Sequence, residues 1–277
     1  MRADFAAGKS LCPQKRWKTI KLAVSGKGGV GKTTIAAALI KLWAGDGHTV
    51  YAVDADPDAS LASAIGIPEE EAAKLKPVVE MRDLIRQKSG DGAFYRLNPN
   101  LDEDLQDYCY QQGRILFLRM GGQKKGGSEC FCRENTFLAA LISTLLLRQG
   151  DMVVMDMGAG IEHLSRGTAR GVDLMLVVVE PSRNSINTAH MVRRMATDLG
   201  IGKVRVVANK IRSDKEREFV ARHFEPGEVL GYIGFDDKVW EASMGEESPM
   251  EGPGGEVEKA VREISRQLVR EVGEETK

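Results

Sequence analysis

Cysteine is scarce in this chain, with four in 277 residues. That excludes a small fold built on disulfides. No apolar run is long enough to span a bilayer. The first 18 residues mix Arg2, Asp4, Lys9, Lys15 and Arg16 with small residues and lack the continuous apolar core of a secretory signal. Charge of one sign is missing too: 39 Lys and Arg against 40 Asp and Glu leave a net charge of −1. A general attraction to nucleic acid or anionic lipid is therefore not expected. What is present, 42% hydrophobic and 29% charged residues, is ordinary for a soluble globular protein. The expected organisation is a flexible extension over 1–18 and a single α/β domain over 19–277. The expected location is the cytoplasm, where thiols stay reduced.

The chain is organised around Ser25-Gly26-Lys27-Gly28-Gly29-Val30-Gly31-Lys32-Thr33-Thr34. Ile20 to Val24 before it reads as a buried strand, and Ile35 to Trp43 after it carries apolar residues at helical spacing. Strand, glycine loop and helix in that order are the setting of a phosphate-binding P-loop. The run from Gly26 to Thr33 fits the Walker A pattern in full. Backbone N–H groups of Gly28, Gly29, Val30, Gly31 and Thr34 would turn inward around phosphate oxygens. Lys32 would reach the β- and γ-phosphates of ATP, and the Thr33 hydroxyl would bind Mg²⁺.

Several other stretches read as strands ending in polar residues. Val50 to Val53 runs into Asp54-Ala55-Asp56-Pro57-Asp58. Met152 to Met155 ends at Asp156, a Walker B carboxylate on Mg²⁺, and Gly158 lets a backbone N–H approach the γ-phosphate. Arg114 to Met120, Leu174 to Val179, Val204 to Ala208 and Val229 to Ile233 complete the set. Helices are expected over Leu61 to Gln87, Asn135 to Arg148 and Val257 to Val272, the last a packing helix because its charges are of mixed sign. The alternation predicts a doubly wound α/β fold with a mostly parallel sheet of about seven strands. The acidic run Asp102-Glu103-Asp104 reads as a solvated face, and His163 as a surface or helix-start residue.

A second lysine early in the loop, Lys27, resembles the deviant Walker A of the MinD/ParA/nitrogenase-iron-protein class. The resemblance implies that Lys27 crosses to the partner's phosphates when two subunits sandwich two ATP molecules, hence a homodimer. It also implies that Asp56, just before Pro57, positions the attacking water, and that the strand-end Asn209, followed by Lys210, reads adenine. An amide side chain both donates and accepts, which suits adenine N7 and N6.

A glycine-rich loop, Gly121 to Ser128, leads to Cys130-Phe131-Cys132. Two thiolates rarely complete a metal site. In a two-fold dimer, one pair per subunit gives four sulfurs for one Ni²⁺ or Zn²⁺. Cys12 takes no role here, and Cys109 reads as buried structure. The Cys130–Cys132 pair, the run from Asp156 to Asp173 and Val177 to Ser185 resemble the CooC-type ATPases over residues 19 to 250. Those proteins mature nickel-containing carbon monoxide dehydrogenase. The resemblance implies an ATP-hydrolysing metallochaperone with that enzyme as client, or acetyl-CoA synthase as an alternative one. Two rivals stand beside it. An iron–sulfur electron donor like the nitrogenase iron protein would have a second cluster cysteine soon after Asp156, and Gly158 to Val179 contains none. A ParA/MinD-type positioning ATPase would need a basic or amphipathic tail, whereas neither nucleic acid nor membrane is an expected partner.

Overall fold

The computed structural model describes residues 20–56, 60–81, 109–121, 151–158, 171–242 and 255–273. The N-terminal extension, Cys12, the acidic run at 102–104, Cys130, Cys132, the helix expected from Asn135 and His163 lie outside them.

β1 (Ile20–Gly26) leads into α1 (Lys32–Gly45) and then β2 (Val50–Ala55). After short helical pieces come β3 (Tyr110–Gln112), β4 (Ile115–Arg119), β5 (Met152–Met157) and β6 (Leu174–Val179). β7 (Val204–Ile211) and β8 (Val229–Gly234) finish the sheet. Its order is β3-β4-β2-β5-β1-β6-β7-β8. Every pairing is parallel except the β3–β4 hairpin at one edge. The doubly wound reading holds; the eighth strand is that three-residue edge piece, too short and too polar at Gln111 and Gln112 to stand out in the sequence.

Strand alternation divides the core between the two faces of the sheet. Leu22, Val24, Ala52, Val154 and Leu176 pack on the face covered by α1. Ala23, Val53, Met155 and Val177 pack on the opposite face. That face is covered partly by α4 (Arg183–Leu199) through Ile186, Ala189, Val192 and Ala196. Ser182 caps α4 by accepting a hydrogen bond from Ser185 N–H at 3.3 Å.

The helix expected over Leu61 to Gln87 is broken. α2 (Leu61–Ile65) stops where Gly66 turns left-handed at φ 87°, and Pro68 then leads into α3 (Glu69–Lys74). Pro77 separates that helix from a single 3₁₀ turn at Val78–Glu80. Among the described residues, α4 is followed by α5 (Asp214–Ala221) and α6 (Asp237–Ala242). The last, α7 (Glu256–Gly273), buries Val261, Ile264, Leu268 and Val272 against the α1 side of the sheet. Its apolar stripe is thus a packing face. Trp43 Nε1–H donates to Ser265 Oγ at 2.8 Å, which joins α1 to α7 and satisfies both buried polar groups. No helix among the described residues is long and apolar enough to cross a membrane.

Candidate active site

β1 is the strand at which the winding reverses, with β5 and β2 to one side and β6 and β7 to the other. Ligands of open α/β sheets bind at the carboxyl ends of strands at such a point. The P-loop occupies it. Gly26 has φ 145°, and a Cβ there would lie 2.3 Å from the carbonyl oxygen of Val178 on the neighbouring strand. At Gly31, with φ 94°, a Cβ would lie 2.4 Å from Asn209 Nδ2. Both positions therefore exclude any side chain.

α1 has no side-chain cap and no acidic residue in its first turn. Its first N–H groups and the positive end of its dipole are left to an anion. Lys32 is buried, and among the described residues its ammonium makes a long hydrogen bond, 3.4 Å, to the carbonyl of Lys27. Such a contact is readily exchanged for a phosphate oxygen.

Alternation along β2 and β5 turns Asp54 and Asp156 toward α1. The two are register partners on adjacent strands, and both are fully buried. Asp54 accepts hydrogen bonds from the N–H groups of Asp56 and Leu61, each at 3.2 Å. It therefore holds the loop that carries Asp56. Burial pushes its carboxyl up to about 6. Asp156 is pushed to about 7, first by burial and then by Asp54, with Thr33 and Lys32 opposing. Thr33 is close enough to lower that value, yet its hydroxyl pairs with Ser60 Oγ at 3.2 Å. Neither oxygen of Asp156 has a properly formed hydrogen bond among the described residues. Proximity alone does not make that bond, because hydrogen bonding depends on direction as well as distance. A buried carboxylate with both oxygens unmet, beside a hydroxyl, fits a hard divalent cation. Gly158 follows at the end of β5, buried beside the same strand ends.

On the other side of β1 the strand ends carry donors. The sequence reading ends β7 at Ala208, but the strand continues to Ile211 through a register shift against β8. Lys210 sits at that irregularity with φ 61°, the left-handed non-glycine residue among those described. The distortion aims two side chains at the P-loop. Asn209 Nδ2 donates to the carbonyl of Val30 at 2.8 Å, and Lys210 Nζ to that of Gly29 at 2.6 Å. Holding the carbonyls from outside keeps the following N–H groups pointed at the phosphate position. An amide side chain has a second hydrogen and an oxygen beyond the bond to Val30.

From the P-loop a cavity of about 280 Å³ runs along α1 to Ile233 and Phe235, past Asn209, to Val257 and Val261 of α7. Lys27 of the loop has its Nζ 3.9 Å from Oε1 of Glu180, the residue after β6. Cys109 is far from this chemistry in character: burial pushes its thiol up to about 12, which makes it inert.

Residues 21–250 match the family described as the CobQ/CobB/MinD/ParA nucleotide binding domain. The carbon monoxide dehydrogenase accessory protein CooC of Rhodospirillum rubrum is 39% identical over 229 residues, covering 81% of this chain and 87% of that one. The chain belongs to this family, in its CooC-like branch. An uncharacterised ATP-binding protein of Methanocaldococcus jannaschii is also 39% identical, over 79% of this chain and 87% of its own length. Among solved structures, the cell division protein MinD of Aquifex aeolicus superposes with a TM-score of 0.64 at 18% identity, covering 91% of this chain and 96% of that one. That likeness shows the fold. This CooC-like protein is accordingly an ATPase, and its structure brings Lys27, Lys32, Thr33, Asp56, Asp156, Asn209 and Lys210 to one end of one sheet. Sequence reading of the CooC-like chain missed Ser60 and Glu180. For Glu180 a signal was available, since it ends a buried strand adjacent to the P-loop strand.

Proposed function

We propose that this ATPase is a homodimeric metallochaperone of the cytoplasm that delivers nickel to carbon monoxide dehydrogenase. The observation that carries the reading is the 39% identity to the accessory protein CooC across 87% of that protein's length. An iron–sulfur cluster carrier of Pyrococcus abyssi matches more weakly, at 26% over 63% of its length.

In this reading each P-loop holds ATP through its backbone N–H groups and Lys32. Thr33 and Asp156 would hold Mg²⁺, which supplies charge neutralisation at the phosphates when bound. Asn209 contacts adenine. Lys27 exchanges Glu180 for the partner subunit's nucleotide, and Asp56 orients water for attack on the γ-phosphorus. Lys210 braces the loop. Cys130 and Cys132 of each subunit take up the nickel cargo as one four-sulfur site, which zinc also satisfies in another geometry. Acetyl-CoA synthase is the alternative client.

Nickel titration of the full chain tests this. Binding is expected to saturate at about half an equivalent per chain, as one four-sulfur site per dimer requires, with thiolate-to-metal absorption. Cys130→Ser or Cys132→Ser should abolish that absorption and leave ATP binding intact. A brown protein holding iron and sulfide when purified without air, or a full equivalent of nickel bound without these cysteines, would overturn the proposal.

A further inference from the structure

Two large apolar side chains stand out as exposed among the described residues: Met191 at 45% and Trp240 at 52%. Met191 belongs to the outer surface of a long helix. Trp240 lines the cavity that starts at the P-loop and also an adjoining open cavity between Glu180, Arg212 and Asp237. We infer that Trp240 is the outer wall of the base site and stacks on the purine of the bound nucleotide, a role that rests on the ATPase reading above.

Three observations converge on it. The first is the reach of the cavity. The same cavity is lined by the phosphate cradle of Gly29, Gly31 and Thr33 and, away from it in the fold, by Phe235, Val257 and Trp240. A nucleotide whose phosphates sit in the cradle has this remaining lining available for its base. The second is the cavity's inner lining. Ile35 and Ala38 of α1, Val257 and Val261 of α7, and Ile233 are apolar; beyond the P-loop and the first turn of α1 the polar lining residues are Asn209, Lys210 and Asp236, of which Asn209 carries the amide. Apolar walls with one directional amide suit a flat heterocycle. A planar aromatic in the same lining adds the stacking face that aliphatic side chains lack.

The third is rigidity. The helix bearing Trp240 starts from Asp236, whose side chain accepts from Lys238 N–H at 2.9 Å and whose carbonyl accepts from Trp240 N–H at 3.1 Å. Phe235 N–H donates to the Ile211 carbonyl at 3.0 Å, and its ring lies 4.0 Å beneath the Arg212 guanidinium. The wall is thus tied to the same end of β7 that supplies Asn209. Stacking is indifferent to which purine is present, so Trp240 contributes affinity while Asn209 contributes the choice of base.

The test compares ATP with inorganic tripolyphosphate, which has no base, on the full-length chain. Trp240→Ala should weaken ATP binding roughly ten- to hundredfold and leave tripolyphosphate binding unchanged. Trp240→Phe should restore most of the affinity. ATP should also quench wild-type tryptophan emission more than that of Trp240→Phe, since Trp17 and Trp43 are common to both proteins and Trp43 is buried between α1 and α7. Retained tripolyphosphate binding shows that the variant folds. Wild-type affinity for ATP in Trp240→Ala, or an equal loss for both ligands, would overturn the inference. Failure of the wild-type protein to bind ATP at all would instead overturn the reading beneath it.

Discussion

The two sides of β1 bring opposite chemistry to the same point. Toward β5 and β2 the strand ends carry carboxyls, Asp156 and Asp54, buried side by side and raised in pKa. Toward β6 and β7 they carry Glu180, Asn209 and Lys210, of which the last two spend hydrogen bonds on the loop itself. One side offers buried carboxyls that suit a divalent cation. The other shapes the cradle before any ligand arrives. Chemistry and affinity should therefore separate by side when single residues are changed.

The largest effect is expected on the carboxyl side. Asp56→Ala removes the residue assigned to water positioning but leaves Lys32, Thr33 and Asp156. Turnover should fall about 100-fold or more, while ATP binding changes little and the ATP-bound dimer accumulates. Steady-state hydrolysis, with sizing in Mg²⁺-ATP, measures both. Normal turnover in this variant would break the division of labour at its strongest point.

A smaller effect should follow pH. Asp156, at about 7 in the fold against an ordinary 3.8, binds a proton at pH 6 that a cation must displace. Affinity for Mg²⁺-ADP should accordingly rise about tenfold from pH 6 to pH 8. The sign for stability runs the other way. A carboxyl raised by folding costs stability as pH climbs from about 3.8 through about 7 in the protein without cation. Calorimetric titration at pH 6, 7 and 8 would check the affinity, and Asp156→Asn should flatten the profile. A flat wild-type profile would count against the cation role.

The smallest effect belongs to the donor side. Lys210→Met deletes one charged hydrogen bond to the loop and should weaken ATP about three- to tenfold. Because the loop and not the base is affected, tripolyphosphate should weaken equally. Loss of ATP alone would assign Lys210 to the base instead.

The asymmetry also explains what could be read from sequence. β6 was readable to the residue, because six consecutive buried apolar residues have no other explanation in a parallel sheet. The P-loop was readable because its glycines and lysine are dictated by phosphate. α1 begins at Lys32, before the expected Ile35, because the functional residues of its first turn are polar and hide the helical period. α4 gave no clear signal: Arg183, Asn184, Arg193 and Arg194 dominate its composition, and its buried stripe relies on Ala189 and Ala196. The β7 irregularity was hidden for a different reason. Left-handed backbone at a lysine has no composition signature, so the brace on the loop appears only when Gly29 and Lys210, 181 residues apart, are seen together.

The bond between Trp43 and Ser265 spans 222 residues of sequence. It means that the packing of α1 is completed by a segment made much later in synthesis. α1, which carries Lys32 and Thr33, emerges from the ribosome early, yet the surface that buries its flank comes from Val261, Ile264 and Leu268. The far wall of the base cavity, Val257 and Val261, arrives with the same helix. A nascent chain that already displays an intact phosphate loop is still missing one side of the cavity and one side of the helix beneath it. The nucleotide site closes only when α7 has been made.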